Sequence, residues 1–420
     1  MSFLGRTNGG SKVKLAVEPP LLEVEGLTKF FPVKQGIIPR TVGQVHAVEG
    51  VSFKLERGET LGLVGESGCG KSTVGKTLLR LAHPTEGSVR FEGREVVEMN
   101  PRELRALRRD VQIIFQDPFE SLNSRHTVRK ILSEPFIIHK RAFRAERKQQ
   151  ELLGFQPEKE QIEELTARTE DNKQEIIRTE TDREQLEIFS TKAEREQKVY
   201  ELLNRVGLDE SAADRYPHEF SGGQRQRIGI ARAIALKPKL IVCDEAVSAL
   251  DVSVQSQVVN LLLDLQKEMN LALIFIAHDL AVVKHVSDEI AVMYLGKIVE
   301  TSTSTDIYRT PRHPYTQALI SAIPVADPTR RPDRIILEGD VPSPISPPSG
   351  CRFHTRCRYA QPLCESEVPP LESVSDRGSV ACFYWRDLRP RQLEQADVEL
   401  ELPRDKPKIS TQDRTNLLTD

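Results

Sequence analysis

Nine consecutive residues near the start of the chain combine glycines, a lysine and hydroxyl groups at a spacing suited to phosphate binding. Residues 65–73 fit the pattern G-x-x-x-x-G-K-[S/T] and follow the apolar run 61–64. Glycines let backbone N–H groups close around phosphate oxygens, Lys71 supplies a cation, and the Ser72 hydroxyl is a ligand for Mg²⁺. Because the match is complete and stands between a predicted strand and a predicted helix, it favours nucleotide binding over a chance glycine-rich turn. The binding residues predicted in this phosphate loop are Gly65, Ser67, Gly68, Cys69, Gly70, Lys71, Ser72 and Thr73.

A second set of candidate groups follows an apolar run in the middle of the chain. The run 240–243 ends at Asp244 and Glu245. Asp244 is suited to the coordination shell of Mg²⁺, and Glu245 is suited to accept a proton from the water that attacks a γ-phosphate. An acidic pair at a strand end also occurs as a helix cap, but its combination with a phosphate loop favours catalysis.

Two further polar residues follow predicted buried strands. Gln116 comes after the strand 111–115, and His278 comes after the strand 273–277. Open α/β sheets bind ligands at the carboxyl ends of their strands. Gln116 is therefore a candidate for contact with the metal or its water, and His278 for contact with the γ-phosphate or the attacking water. Taken singly, each is more often an ordinary polar residue at a strand end.

Two weaker signals complete the set. Ser221, Gly222, Gly223 and Gln224 precede a predicted helix, and a serine with two glycines there offers an anion a hydroxyl, exposed amides and a helix dipole. The same tripeptide is common in loops. Phe31, upstream of the phosphate loop, is equally suited to stacking on an adenine ring and to packing in the core of a strand.

The composition of the 420-residue chain indicates a globular protein of about two to three domains. A formal net charge of −3 and a pI near 6.4 lack the overall basic bias of nucleic-acid-binding proteins. The longest apolar run, at 271–277, is too short to span a bilayer. Residues 1–14 lack the apolar core of a secretory signal, so we expect the chain to stay in the cytosol.

Several segments must position the candidate groups. Alternating apolar residues at 22–24, 45–47 and 51–55 predict antiparallel strands that lead to the phosphate loop. Residues 1–20 and 386–420 are polar, and we expect a flexible N-terminus and a flexible tail.

The stretch 141–198 differs in character from the rest of the chain. Opposite charges recur there at helical spacing, and apolar residues are sparse. We interpret it as a solvated helix or loose helical hairpin, with a partner-binding arm as the alternative. Apolar residues at 199, 202, 203 and 206 then predict an amphipathic helix that ends at Gly207.

Together these motifs occur in the order found in ATP-binding-cassette (ABC) ATPases, a superfamily that the chain resembles from about residue 21 to 300. The resemblance implies an α/β fold with a RecA-like P-loop NTPase core, an antiparallel β subdomain, and a helical subdomain at about 117–236. The charged segment 141–198 departs from the family pattern as an insertion in that helical subdomain. Besides the phosphate loop, the motifs that carry the resemblance are Gln116, Ser221–Gln224, Asp244–Glu245, Ser248–Asp251 and His278.

The resemblance also implies that two such domains close head to tail. ATP would lie between the phosphate loop of one domain and the segment 221–224 of the other. Phe31 would stack on adenine, Gln116 would couple the metal site to a membrane subunit, and Asp251 would lie at the dimer contact.

The chain departs from the family pattern at two places near its motifs. Phe220 stands where leucine is commoner, and Ala246 and Val247 replace a frequent Pro-Thr pair. Neither change removes a catalytic group. We therefore expect a competent ATPase that uses ATP and Mg²⁺, with Lys71, Glu245 and His278 as its catalytic residues.

The C-terminal part resembles one subfamily. Segments 311–319 and 350–357 look like the C-terminal extension of oligopeptide and dipeptide importer ATPases, and 244–251 is closest to the second ATPase of such systems. We predict this extension at 301–385, on an ATPase that drives import of oligopeptides or dipeptides from the cytoplasmic side of the membrane. The implied partners are a second ATPase subunit, related or identical, two transmembrane permeases and, indirectly, a substrate-binding protein. No nucleic acid is expected.

Two alternatives to peptide import stay open at this stage. One is a soluble cassette ATPase that acts on DNA or ribosomes; the single cassette, the lack of a very long coiled coil and the importer-like C-terminus disfavour it. The other is an importer of nickel or glutathione, because the substrate is selected by subunits other than this chain.

Four cysteines lie close together in the extension: Cys351, Cys357, Cys364 and Cys382. Four thiolates in one short segment of a cytosolic protein suit an iron–sulfur cluster or zinc, although the spacing is not the C-x₂-C of common zinc ribbons. The resemblance implies a [4Fe–4S] cluster, as in some peptide-importer ATPases, and we expect such a cluster to be structural. Four reduced cysteines without a metal are the remaining alternative.

Overall fold

The computed structural model describes residues 19–35, 40–139, 192–323 and 334–388. The strands are β1 (Leu22–Gln35), β2 (Arg40–Leu55), β3 (Thr60–Val64), β4 (Glu86–Phe91), β5 (Arg94–Glu95), β6 (Val111–Ile114), β7 (Leu240–Asp244), β8 (Ala272–Ala277), β9 (Glu289–Tyr294), β10 (Lys297–Thr303), β11 (Glu372–Ser375) and β12 (Gly378–Val380). The helices are α1 (Lys71–Leu78), α2 (Pro101–Asp110), α3 (Pro118–Ser121), α4 (128–139), α5 (Lys192–Arg205), α6 (Gly222–Ile234), α7 (Val252–Met269), α8 (Leu280–Val286), α9 (Ser304–Arg309), α10 (Pro314–Ser321) and α11 (Pro362–Ser366).

Four strands form an antiparallel sheet in the order β2-β1-β4-β5. β1 and β2 pair along their length, from Leu22 opposite Leu55 to Gln35 opposite Arg40, with several register shifts. The residues at 45–47 and 51–55 therefore belong to one long strand. The predicted antiparallel strands before the phosphate loop are confirmed. Their buried leucine and valine side chains share an apolar cluster with β3, β7 and β8.

Eight strands form the central sheet, in the order β11-β12-β10-β9-β3-β8-β7-β6. The five strands from β9 to β6 run parallel, so the carboxyl ends of β3, β6, β7 and β8 meet at one edge. The predictions of strands at 111–115, 240–245 and 273–277 are confirmed by β6, β7 and β8. β3, β7 and β8 are buried at every position, which explains their continuous apolar sequences.

The helices α4 to α10 pack against the central sheet. Together with the sheet they form a second apolar cluster. α5 buries Val199, Leu202 and Leu203 on one face. The chain then turns through Gly207, whose φ of 70° suits a residue without a Cβ. The predicted amphipathic helix and its glycine stop are confirmed.

The C-terminal part does not form a separate layer. β12 pairs antiparallel with β10, and β11 pairs with β12, so both strands extend the central sheet. The predicted boundary near residue 300 falls inside β10, because that strand pairs with β9 on one side and with β12 on the other.

Several predicted segments lie outside the described residues. These are the flexible N-terminus up to residue 18, the tail from 389 and the charged insertion up to 191, whose last residues begin α5. Within the described part of the chain, every helix is too short or too polar to cross a lipid bilayer.

Candidate nucleotide-binding and catalytic site

The phosphate loop joins the end of β3 to the start of α1, as the sequence pattern predicts. Two of its glycines are required by close packing and by backbone conformation. Gly65 has φ of 152°, and a Cβ there would collide with the carbonyl oxygen of Met293. Gly70 has φ of 108°, and a Cβ there would collide with the carbonyl oxygen of Ala47. The loop is therefore held against the backbone of β2 and β9.

Lys71 and Ser72 occupy the first turn of α1. The Lys71 ammonium is buried and donates to the carbonyl oxygens of Gly65, at 2.8 Å, and Glu66, at 3.0 Å. The Ser72 hydroxyl donates to the carboxylate of Asp244, at 2.6 Å, from the end of β7. A hydroxyl and a carboxylate thus meet beside the loop, which is a ligand pair that suits Mg²⁺.

The other predicted loop residues take different positions. Cys69 is buried, and its pKa is raised because burial disfavours the thiolate. Ser67 and Gly68 are exposed, whereas Thr73 is half-buried on α1.

The ends of β6, β7 and β8 bring three predicted polar residues together. Glu245 follows β7, and its carboxylate accepts a hydrogen bond of 2.7 Å from the amide of Gln116, which follows β6. The Nδ1 atom of His278, which follows β8, lies 3.9 Å from the same carboxylate oxygen of Glu245. The three strands are parallel neighbours, so their carboxyl ends place these side chains in one group.

Glu245 also has an unusual backbone. Its φ is 49°, in the left-handed region that non-glycine residues seldom adopt. Its N–H donates to the carbonyl oxygen of Ile276 at 3.0 Å, which fixes the residue to the end of β8. Strained residues of this kind cluster at functional sites, and no sequence pattern predicts this one.

The segment 221–224 begins α6 and lies at the surface. Ser221 caps the helix: its hydroxyl accepts from the N–H of Gln224, whose side chain in turn accepts from the N–H of Ser221. The side chains of Ser221 and Gln224 are exposed. Gly222 and Gly223 lie between them in the first turn of the helix, and a Cβ on Gly223 would collide with Val254 of α7. A tight turn of this type leaves the helix N-terminus open to an external anion.

Phe31 and Asp251 are two further predicted contact residues. Phe31, on β1, is 39% exposed, and the ammonium of Lys29 lies 4.8 Å from its ring centroid. Phe31 pairs with Val45 on β2, two residues before Ala47, which touches the phosphate loop. Asp251 is exposed at the N-terminus of α7.

Two contacts to the phosphate loop, both through Glu66, were not predicted from the sequence. The N–H of Glu66 donates to the hydroxyl of Tyr315 at 2.8 Å, and the carboxylate of Glu66 pairs with Arg356 at 2.8 Å. Tyr315 and Arg356 lie about 250 or more residues further along the chain. Only their inclusion in the two importer-like C-terminal segments singled them out.

The four cysteines of the extension line one small cavity. Its aromatic and histidine lining includes His313, Phe353, His354, Tyr359, Phe383 and Tyr384. Burial raises the pKa of the Cys351 thiol to about 11 and that of Cys382 to about 12. Within the ranges that the structure describes, no group of three or more His, Cys, Asp or Glu side chains is arranged to hold a metal ion. The thiols are therefore neighbours without a formed metal site.

Comparison with known proteins gives two family matches along the chain. Residues 48–248 match the ABC transporter family, and residues 299–364 match the C-terminal region of oligopeptide/dipeptide transporters. The oligopeptide transport ATP-binding protein AppF of Bacillus subtilis is 46% identical over 88% of this chain and 99% of its own length. The chain belongs to the ABC transporter family of ATP-binding subunits.

Other relatives of this ABC ATPase agree with that assignment. The oligopeptide transport ATP-binding protein OppF of Escherichia coli is 47% identical over 86% of this chain and 96% of its own length. The dipeptide transport ATP-binding protein DppF of Haemophilus influenzae is 44% identical over 87% and 97%. The importer-type C-terminal region that the sequence predicts is thus confirmed as part of this ABC ATPase.

Solved structures place this ABC ATPase in the cassette fold. A dimeric ATP-binding cassette in a post-hydrolysis state with ADP and phosphate has a TM-score of 0.50 and 23% identity, over 67% of this chain and 98% of that one. The predicted α/β cassette fold is confirmed.

Proposed function

We propose that this chain hydrolyses ATP to drive the import of oligopeptides or dipeptides through a membrane ABC transporter. The proposal is supported by full-length similarity to oligopeptide and dipeptide transport ATP-binding proteins and by the matching C-terminal region. In such an assembly the chain would sit on the cytoplasmic side of the membrane beside two permeases and a second ATPase, with a substrate-binding protein as an indirect partner.

The observation that carries the ATPase assignment is the meeting of four strand ends at one site. Lys71 and the loop backbone lie at the N-terminus of α1, a position at which helices bind phosphates, and they would neutralise the terminal phosphates. Glu245 is held by Gln116 in reach of His278, so a water beside its carboxylate could pass it a proton during attack on the γ-phosphate. We assign His278 to orienting that water or contacting the γ-phosphate.

The residues at the site fit Mg²⁺. The Ser72 hydroxyl and the Asp244 carboxylate already touch, and Gln116 stands at the neighbouring strand end. These three side chains would hold the ion, which supplies charge neutralisation at the β- and γ-phosphates.

The nucleotide site of one chain would be completed by a second subunit. The side chains of Ser221, Gln224 and Asp251 are exposed, and they would offer a helix N-terminus and a carboxylate to a facing chain. We propose that they contact ATP held by the phosphate loop of a related or identical partner, and that Phe31 stacks on the adenine.

Peptide uptake tests the transport proposal. We expect that cells lacking this chain take up a labelled oligopeptide slowly, that the wild-type chain restores uptake, and that the Glu245→Gln variant does not. Uptake of a free amino acid serves as the control, because it should not change. Normal peptide uptake in the deleted strain would reject peptide import as the function.

We also propose that the four-cysteine cavity takes a [4Fe–4S] cluster, with zinc as the alternative. The support is that four thiols line one cavity within the importer-type C-terminal part. Since the described residues show no formed ligand set, binding would require the thiols to rearrange. Iron and sulfide analysis of anaerobically purified protein tests the cluster, and fewer than about two irons per chain would reject it.

A further inference from the structure

The C-terminal extension reaches the phosphate loop through Glu66. The hydroxyl of Tyr315 accepts a 2.8 Å hydrogen bond from the Glu66 N–H, and Arg356 donates to the Glu66 carboxylate at 2.8 Å. The side chains of Tyr315 and Arg356 are buried, at 0% and 8% exposure. Both contacts are therefore partly shielded from solvent.

The Tyr315 contact acts on the same peptide group that holds the lysine. The N–H of Glu66 and the carbonyl of Gly65 belong to one planar unit, and the carbonyl accepts the 2.8 Å bond from Lys71. Because the N–H and C=O of a trans peptide point in opposite directions, the bond to Tyr315 fixes the direction of the carbonyl that receives Lys71. The next carbonyl, on Glu66 itself, holds the same ammonium at 3.0 Å.

A cluster of buried aromatic rings packs next to these contacts. The rings of Tyr294, Tyr315 and Phe353 pack on one another with centroids 4.7 to 5.3 Å apart, and each ring is almost fully buried. Arg352, next to Phe353, is itself anchored by Glu49 and by the carbonyl oxygen of Leu295. Tyr315 and Arg356 thus approach the loop from a packed unit.

We propose that Tyr315 and Arg356 are positioning residues for nucleotide binding, which act through Glu66 to hold the phosphate loop and Lys71 in the conformation that receives the terminal phosphates. This inference rests on the proposed function, since it assumes ATP at the phosphate loop. Preorganisation of this kind raises affinity, because the loop does not have to be ordered when the nucleotide binds.

The first test removes one hydroxyl. In Tyr315→Phe the ring packing is kept, but the Glu66 N–H loses its acceptor, and we expect the Kd of a fluorescent ATP analogue to rise about fivefold. The matched control is Tyr308→Phe, which removes another buried hydroxyl, bonded to the carbonyl oxygen of Leu280. The control should lower the melting temperature of the nucleotide-free protein without changing the Kd.

The second test uses the ion pair. Arg356→Gln should raise the Kd about three- to fivefold, because it removes a charge-assisted bond that is partly shielded from solvent, and Arg356→Lys should recover part of the loss. The matched control is Arg377→Gln, since Arg377 also joins the C-terminal part to the cassette, through Glu59 and Glu289. This control should leave the Kd unchanged.

A double-mutant cycle separates positioning from general stability. In a Glu66→Gln background, Arg356→Gln should have a clearly smaller effect on the Kd, because the two residues act as one unit. Equal effects in both backgrounds, or wild-type affinity in Tyr315→Phe, would overturn this inference. If the wild-type protein itself does not bind ATP, the proposed function fails instead.

Discussion

Glu245 shows how much of the candidate chemistry depends on a single residue. It combines a left-handed backbone, an N–H anchored to β8 and a carboxylate held by Gln116. These features aim one carboxylate at the group of strand ends and limit its rotation. A residue held this firmly is suited to meet a water in one orientation.

We expect Glu245→Gln to bind ATP with unchanged affinity but to release phosphate about 100-fold or more slowly, because the amide has the shape of the carboxylate and cannot take a proton. Steady-state phosphate release and a binding titration measure the two effects. Glu268→Gln is the control, since Glu268 is half-exposed and forms a surface ion pair with Arg205. Phosphate release at the wild-type rate would contradict the assignment of Glu245.

At the scale of elements, the start of α10 is joined to β10 by one buried carboxylate. Glu300 of β10 is almost fully buried and accepts from the backbone N–H of Arg312, at 2.8 Å, and of His313, at 2.9 Å. Burial raises the pKa of Glu300 from 4.5 to about 7. The same burial lowers the pKa of the neighbouring His313 to about 3.

The raised pKa of Glu300 predicts a pH dependence of stability. The folded state binds the proton of Glu300 more tightly than the unfolded state does, so its stabilising effect is complete below pH 4.5 and is lost as the pH rises through about 7. Up to about 3 kcal/mol of unfolding free energy is involved.

The Glu300→Gln variant removes this titration. We measure the unfolding free energies of variant and wild type by urea denaturation. As the pH rises from 5 to 8, the wild type should lose stability relative to the variant. Taking the difference cancels most of the opposite effect of His313, which destabilises the fold as the pH falls below 6.5. If the difference in unfolding free energy stays constant over this range, the pKa of Glu300 is not raised in the folded state and the prediction is wrong.

At the scale of the whole molecule, two segments far apart in the chain are the proposed parts of a nucleotide site. The phosphate loop lies at the carboxyl edge of the central sheet, and Ser221 begins α6 at the surface. In the proposed dimer each part is completed by the other chain, so nucleotide binding and subunit contact become one event.

We expect Glu245→Gln protein to form an ATP-dependent complex, with itself or with a second ATPase subunit of its transporter. Adding Ser221→Arg should abolish the complex but leave ATP binding by the isolated chain intact, because the arginine blocks the open helix end without touching the phosphate loop of its own chain. Sedimentation velocity measures the complex. Ser366→Arg, at an exposed position on α11, is the control and should leave it unchanged. A stable complex with Ser221→Arg would contradict the proposed contact.

Local sequence was sufficient to predict the strands around the nucleotide site and the residue types that follow them. Buried parallel strands have continuous apolar sequences, and a phosphate loop needs glycine and lysine at fixed spacing, so local order was enough to predict β3, β6, β7 and β8 and the polar residues after them. The same holds for α5, whose apolar spacing and final glycine are local signals.

The contacts between distant segments could not be predicted from the sequence and follow from the tertiary fold. Tyr315 and Arg356 contact Glu66 across about 250 residues or more, and no spacing rule links positions so far apart. The left-handed backbone of Glu245 depends on the neighbouring β8, and the pKa of Glu300 depends on burial beneath α10. Likewise, the sequence placed four cysteines in one segment, but their position around one cavity, together with aromatic side chains, follows from the packing of that segment, which a linear pattern does not encode.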